Sequence, residues 1–284
     1  MFARLAVCCT IVTLVGCGGE PPKPGRHFET TPRSNRDLKS DRKKKRDSQP
    51  IPYLGGRVLH QPRIVNLFWG AWWDTPDGRA RRAIVDGLAS NLAATSYLAL
   101  VTQYPDSDGA PDVSQPLVAG SVVVTASEPP DGLPDEALQA FVQSQATPSS
   151  SAETIYLLMT PPGVAMHSEM GTSCGDTCAY HNHFSSSGRE LLYAIIPALD
   201  CWDVCGAGEL SVNGPEADMT TLAYSHEVAE VITDPYLDAW TKADGEDEIG
   251  DRCDSGSQLD GGGQSFAVQD LWSNDGMLCA SSYE

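Results

Sequence analysis

The first fifty residues confine any folded core to the remainder of the chain. They begin with one positive charge, Arg4, and an apolar run from Leu5 to Gly16. At about 12 residues this run is too short for a membrane-spanning helix, which needs about 20, and it has the layout of a signal peptide. Residues 18–50 are rich in Pro, Ser, Lys and Arg and poor in large apolar side chains, so they cannot offset the entropy of ordering. We therefore expect one globular domain in residues 51–284.

The end of the apolar run indicates a lipid anchor. The segment Leu14–Cys17 resembles the bacterial lipobox, which implies cleavage before Cys17 and lipidation of that cysteine. Several acyl chains hold a protein firmly to a membrane without spanning it. We expect residues 1–16 to be a lipoprotein signal peptide and residues 17–50 a lipidated, disordered, basic tether. Gly18 after the cysteine favours the outer membrane or cell surface over the inner membrane.

The charge divides sharply between the tether and the domain. Residues 18–50 carry 10 basic and 5 acidic residues, with the densest run at Arg42–Arg46. This run is either a solvated spacer or a segment that lies along anionic head groups. Residues 51–284 carry 8 basic and 33 acidic residues, a net charge of −25. Such a domain is unsuited to nucleic acid and compatible with divalent cations.

Six cysteines remain once the signal and lipid-site cysteines are set aside. An even number in an oxidising compartment predicts disulfides, and the predicted pairs join Cys174 to Cys178, Cys201 to Cys205, and Cys253 to Cys279. The competing interpretation is a zinc site made by the two CxxxC pairs. Metal-binding cysteines are more typically spaced as CxxC in a reducing compartment, which favours the disulfides.

Hydrophobic periodicity in residues 51–284 alternates between strands and helices. Strands interleaved with helices predict an α/β fold, here a single layered domain with a mixed β-sheet flanked by helices and stabilised by disulfides. Residues 105–118 and 241–263 have the composition of loops. The expected strands are Arg63–Trp69, Ser121–Thr125, Thr154–Met159, Leu191–Ile196 and Gln264–Trp272, and the expected helices are Gly78–Ala94, Pro134–Gln145 and Met219–Thr233.

The chemistry that the sequence offers is concentrated in an HExxE motif on the last expected helix. His226 and Glu230 are four residues apart and therefore share a helix face, where they could bind one metal ion. Glu227 would act as general base on a metal-bound water, as in zincin-like peptidases. Asp234, Glu248 and Asp251 are candidates for the third ligand. One carboxylate in place of a second imidazole shifts the preference from zinc slightly toward harder cations.

Alternatives to this metal site remain open at the level of sequence. The motif is also compatible with a solvated helix face, and Glu248 and Asp251 could instead build a separate calcium loop. His181 and His183 alternate in a segment that we expect to be a disulfide-tied loop. Either could be a distant ligand or a substrate contact, and either could simply be exposed.

Several motifs occur in an order that resembles a known family. They are Ile64–Gly70 followed by a helix, Ile155–Thr160, the paired cysteines around Cys174 and Cys201, and His226-Glu227 running to Pro235. Together they resemble the EXORDIUM, or phosphate-induced protein 1, family over most of residues 55–279. Plant members are apoplastic proteins linked to growth and carbon status. The resemblance implies an exported domain without a settled enzymatic activity.

Two functional hypotheses follow from these residues. The first is a metal-dependent, peptidase-like hydrolase with zinc as cofactor, displayed on the cell envelope as a lipoprotein. The second is a non-catalytic surface protein of the EXORDIUM type, in which acidic loops bind calcium or remain solvated. The expected partners are the membrane, through the N-terminal lipid, and a peptide or cell-wall component.

Overall fold

The computed structural model describes residues 26–27, 49–130, 132–148, 150–168, 171–175, 177–198, 201–242 and 247–283. The expected signal peptide, Cys17 and all but a few residues of the expected tether lie outside these ranges. Two tether residues that are described, Arg26–His27, pair with the edge of the central sheet. Within the described ranges, the helices are all too short or too polar to cross a membrane.

A mixed β-sheet of five strands, extended at one edge by a two-residue strand, forms the centre of the domain. Its strand Thr154–Met159 is buried along its whole length because both faces of the sheet are covered. The four strands β3, β2, β4 and β8 are parallel, whereas β7 is antiparallel to β8 and β1 to β7. In spatial order the strands are β1 (Arg26–His27), β7 (Tyr180–Ser186), β8 (Arg189–Ile196), β4 (Thr154–Met159), β2 (Arg63–Trp69) and β3 (Val118–Val124).

Helices cover the sheet on both faces and confirm the α/β expectation. Helices α1 (Pro76–Leu92) and α4 (Pro215–Thr233) pack on one face, where their apolar side chains join those of Ile64, Phe68 and Leu157. Helix α2 (Asp135–Gln145) packs on the other face through Leu138, Phe141 and Val142. A fourth helix, α3 (Trp202–Cys205), is a single turn.

Helix α4 carries the HExxE motif and is buried along its length. Pro215 stands at its first position, and the Asp218 carboxylate accepts the amides of Val212 and Asn213 at 2.8 and 2.9 Å. Residues 217–233 are all buried. The sheet covers one side of the helix, and the β-hairpin of residues 256–269 packs against another side. The interpretation of the motif as a solvated helix face is therefore wrong.

Small antiparallel hairpins complete the domain. The expected late strand over 264–272 divides into β10 (Gln264–Gln269) and β11 (Leu271–Ser273). The break falls at Asp270, whose carboxylate accepts the hydroxyls of Ser255 and Ser257. The expected loop over 241–263 contains a strand, β9 (Gly256–Gly261), which pairs with β10. The remaining short strands are β5 (His167–Ser168), β6 (Gly171–Thr172) and β12 (Leu278–Ala280).

Three disulfides are present, but two of the expected pairings are wrong. Cys174 is bonded to Cys201 and Cys178 to Cys205, with Cα–Cα distances of 5.8 and 5.7 Å. Two bridges therefore join the segment of Cys174 and Cys178 to the segment of Cys201 and Cys205, instead of closing each CxxxC pair upon itself. The same bonds exclude these sulfurs from the competing zinc site. The expected bond between Cys253 and Cys279 is confirmed.

Candidate functional site: a buried histidine–carboxylate centre

Three separate segments place acidic and imidazole side chains at one point beneath the sheet. Helix α4 contributes His226, Glu227 and Glu230, and strand β7 contributes His181. The loop that leads to β9 contributes Glu248 and Asp251. All of these side chains are fully buried except Asp251, whose side chain is 18% exposed.

His226 and Glu230 form the closest pair of the centre. Their Nε2 and Oε2 atoms are 2.9 Å apart, which confirms that the spacing of four residues puts them on one helix face. The other oxygen of Glu230, Oε1, accepts the amides of Gly250 and Asp251 at 3.1 and 3.2 Å. Glu230 thus holds the loop of Gly250 and Asp251 against the helix face that carries His226.

Asp251 approaches the same pair from the loop. Its Oδ1 lies 3.8 Å from His226 Nε2, while its Oδ2 accepts the amides of Asp247 and Glu248 at 3.2 and 3.1 Å. Each of the two carboxylates, Glu230 and Asp251, therefore has one oxygen fixed by backbone amides and one near the imidazole.

His181 joins the centre on the side of Glu227. Its Nδ1 lies 3.2 Å from Glu227 Oε2 and 3.7 Å from Glu230 Oε2, and its Nε2 lies 3.7 Å from Glu248 Oε1. The segment that holds it is strand β7, not a disulfide-tied loop. Because side chains alternate along a strand, residues 181 and 183 share one face of β7, but the His183 side chain is 20% exposed whereas His181 is fully buried.

Two predicted site residues lie away from the centre. His183 Nδ1 is 3.1 Å from the Glu190 carboxylate, and its ring packs edge-on against Tyr236. Asp234 ends helix α4 and accepts the amides of Asp238 and Ala239 on Oδ1, at 2.7 Å each. Asp234 belongs to neither of the groups in which three donor atoms lie within metal-binding range of one another. Its position near the helix end gives it a role in turning the chain.

Burial sets the protonation of the centre. It lowers the pKa of His226 to about 4, against an opposing effect of the nearby Asp251 carboxylate. It also raises the pKa of Glu227 well above its ordinary value, and the neighbouring charges of Glu230 and Asp251 raise it further. The imidazole of His226 is thus neutral and its nitrogen is suited to accept a proton or a metal.

Two overlapping sets of donors meet in this centre. One consists of His226, Glu230 and Asp251, and the other of His181, Glu230 and Glu248, with each set's donor atoms within 4.8 Å of one another. Glu230 belongs to both. The structure thus brings His226, Glu227 and Glu230 of the helix together with Glu248 and Asp251, two of the three candidates for the third ligand, and with His181, one of the two candidate histidines.

Two supporting residues were not anticipated. A Cβ atom added at Gly250 would overlap the imidazole of His226, so only glycine allows this approach. The Gln269 side chain donates to the carbonyls of Gly250 and Cys253 at 3.0 and 2.6 Å. Gly250 stands in the acidic segment next to Asp251, whereas a single glutamine in a strand gives no sequence signal of this role.

The comparisons with known proteins give one point of reference. The chain is similar to "Protein EXORDIUM-like 5" of Arabidopsis thaliana, with 25% identity over 254 residues that cover 79% of this chain and 69% of that protein. No family model matches the sequence. No solved structure matches it either. The similarity supports a protein of the EXORDIUM type.

Proposed function

We propose that this chain is a non-catalytic surface protein of the EXORDIUM type, held to the bacterial envelope by lipid on Cys17 and the basic tether. The observation that carries the proposal is the burial of the candidate catalytic centre. His226, Glu227 and Glu230 are all fully buried, as are His181 and Glu248. The similarity to an EXORDIUM-like protein supports the same class.

Complete burial argues against hydrolysis of a peptide or polysaccharide. A catalytic metal site keeps a coordination position open to substrate, and its substrate lies in a cleft. Here strands β7 and β8 of the sheet and strand β10 of the hairpin pack against helix α4, which carries the motif. A polymer could reach Glu227 only after the hairpin or the loop with Asp251 had moved away. The centre therefore suits a role in holding the fold together.

An exposed aromatic pair offers a surface for recognition of cell-wall material. Tyr53 is 37% exposed and its ring lies against that of Trp240, with centroids 5.0 Å apart. Aromatic rings with one wet edge contribute strongly to interfaces at low entropic cost. The net charge of −25 on residues 51–284 disfavours polyanions, so we assign a neutral polysaccharide as the ligand class.

The proposal is tested in the full-length chain by variants of the exposed aromatic pair and of the buried centre. The chain should sediment with isolated neutral cell-wall polysaccharide, and Tyr53→Ala should weaken binding by about tenfold, since a central aromatic contact contributes 1.4 kcal/mol or more. Tyr283→Ala, at a tyrosine that bonds Asp275, is the matched control. Glu227→Gln should leave binding unchanged. Turnover of a peptide or glycan library that disappears in Glu227→Gln would contradict the proposal.

A metal-dependent, zincin-like hydrolase is the second candidate. It is favoured by the 2.9 Å contact between His226 and Glu230 and by Glu227, whose Oε1 is buried and has no hydrogen-bond partner among the described residues. This candidate requires an opening motion of the loop that contains Asp251. Substrate-dependent exposure of that loop, measured by hydrogen exchange, would favour it over the surface-protein proposal.

A further inference from the structure

We propose that the buried centre binds one divalent transition-metal ion, of the zinc class, through His226 Nε2, Glu230 Oε2 and Asp251 Oδ1. The ion would tie helix α4 to the loop before β9. This inference goes beyond the proposed function, because a surface protein of this type needs no metal, and the metal is assigned here a structural role.

The separations of the donor atoms suit such an ion. A tetrahedral zinc ion with bonds of about 2.0–2.2 Å places its ligand atoms about 3.3–3.5 Å apart. His226 Nε2 lies 2.9 Å from Glu230 Oε2 and 3.8 Å from Asp251 Oδ1, so these separations lie on either side of that range.

The carboxylates are oriented as metal ligands commonly are. Glu230 Oε1 and Asp251 Oδ2 each accept two backbone amides, which leaves Glu230 Oε2 and Asp251 Oδ1 directed at His226. Outer hydrogen bonds of this kind fix the ligand and raise the affinity for the ion. The 18% exposure of Asp251 gives the ion a path of entry from the surface.

Glu227 provides an independent sign that the centre is built for a cation. Its carboxyl is fully buried and Oε1 has no hydrogen-bond partner among the described residues. A buried polar atom of this kind costs about 1–3 kcal/mol of desolvation unless a cation or donor compensates for it. Its neighbours include Glu230 and Asp251, both ligands in the proposed set.

The donor set distinguishes among metals. One imidazole nitrogen with two carboxylate oxygens suits zinc and similar transition ions. Calcium takes six to eight oxygen ligands, which is more than the described residues supply around Glu230. The alternative set of His181, Glu230 and Glu248 shares one ligand with the proposed set, so the variants below separate the two.

The experiment is elemental analysis of the full-length chain with its disulfides intact, after growth with zinc and removal of loosely bound metal. About one zinc per chain is expected in the wild type and in the control His183→Asn, and less than a tenth of that in His226→Asn, Glu230→Gln and Asp251→Asn. Full zinc content in Glu230→Gln, or none in the wild type, would overturn the proposal. Loss of zinc in His181→Asn or Glu248→Gln with retention in Asp251→Asn would overturn the ligand assignment.

A measurement on the wild type tests the proposal even if the variants fail to fold. After chelation, added Zn²⁺ should raise the Tm by about 5 °C or more in a concentration-dependent way, since an ion that binds only the folded state stabilises it by mass action. Ca²⁺ at the same concentrations should leave the Tm unchanged. An unchanged Tm with Zn²⁺ would overturn the proposal. Neither result bears on Glu227-dependent turnover. The metal proposal and the proposal of a non-catalytic function can therefore be refuted independently of each other.

Discussion

His181 Nδ1 lies 3.2 Å from Glu227 Oε2, although the two residues are 46 positions apart and both are fully buried. The contact joins the outer antiparallel strand β7 to helix α4. Since the other oxygen of the Glu227 carboxyl, Oε1, has no hydrogen-bond partner among the described residues, the carboxyl depends on this imidazole for compensation of its burial. The pair therefore belongs to the interior structure of the domain.

The first prediction concerns this pair. His181→Ala should lower the free energy of unfolding by about 1–3 kcal/mol, because it leaves a buried carboxyl without its partner. Urea denaturation followed by far-UV circular dichroism would measure the change. His183→Ala, two residues along the same strand at a side chain that is 20% exposed, should cost less than about 1 kcal/mol. Equal losses in the two variants would refute the assigned difference between the buried and the partly exposed histidine of β7.

A double-mutant cycle tests whether His181 and Glu227 are energetically coupled. In a chain that already carries Glu227→Gln, His181→Ala should cost less than it does in the wild type, because the two residues are coupled. Additive losses would mean that His181 contributes only by packing.

The helix part of the centre could be predicted from sequence because its spacing is local. The distance between His226 and Glu230 follows from helix geometry alone, and the structure confirms it. The partnership with His181 depends on the pairing of β7 with β8 and on the packing of α4, neither of which is encoded in a short segment. Alternation along a strand places His181 and His183 on one face, so recognition of the strand would not have told which of the two is fully buried.

The second prediction tests the disulfide pattern. Digestion of the denatured, unreduced protein with a protease that cleaves before aspartate separates each CxxxC pair, since Asp176 and Asp203 stand between the cysteines. Mass spectrometry should then find the Cys174 peptide joined to that of Cys201, and Cys178 to Cys205. A link between Cys174 and Cys178 would restore the pairing expected from sequence.

Removal of one of these disulfides should also lower the free energy of unfolding by a measurable amount. Cys178→Ala combined with Cys205→Ala leaves the bond between Cys174 and Cys201 in place, so it opens a ring of only about ten residues and should cost about 2–3 kcal/mol by the chain-entropy relation. Sequence spacing did not identify the pairing because a CxxxC segment can close upon itself or face a second such segment. Only the fold, which brings the two segments side by side, decides between these arrangements.

The third prediction is a pH dependence that arises at Asp106. Burial opposes ionisation of this carboxylate, but hydrogen bonds from the Val58 and Asp108 amides and from His60 outweigh it and lower its pKa to about 2. A carboxylate with a lowered pKa stabilises the fold above its unfolded pKa near 4, and this contribution is lost as the pH falls toward 2. Between pH 5 and pH 2 the wild type should lose about 2 kcal/mol more than Asp106→Asn.

Acid titration of the unfolding free energy would measure this difference. Asp108→Asn, at an exposed neighbouring carboxylate, serves as the control and should follow the wild type. If Asp106→Asn lost as much unfolding free energy between pH 5 and pH 2 as the wild type, these hydrogen bonds would not stabilise the folded state.

The fourth prediction concerns Gly250, which the sequence alone did not distinguish from other loop glycines. A methyl group at this position would overlap the His226 imidazole, and the Gly250 amide is one of the two that hold Glu230 Oε1. Gly250→Ala should therefore lower the free energy of unfolding by about 1–3 kcal/mol, the usual cost of an overpacked interior. It should also reduce the bound zinc, since His226 can yield only by leaving its place beside Glu230.

Gly120→Ala is the matched control for this steric argument. A Cβ atom there would meet only a Val65 methyl carbon at 3.9 Å, an ordinary contact, so stability should change by less than about 0.5 kcal/mol. Chemical denaturation of the two variants beside the wild type measures both effects. Equal stability of Gly250→Ala and Gly120→Ala would mean that the loop has room to withdraw from His226, and that the close approach of loop and helix is not required by the fold.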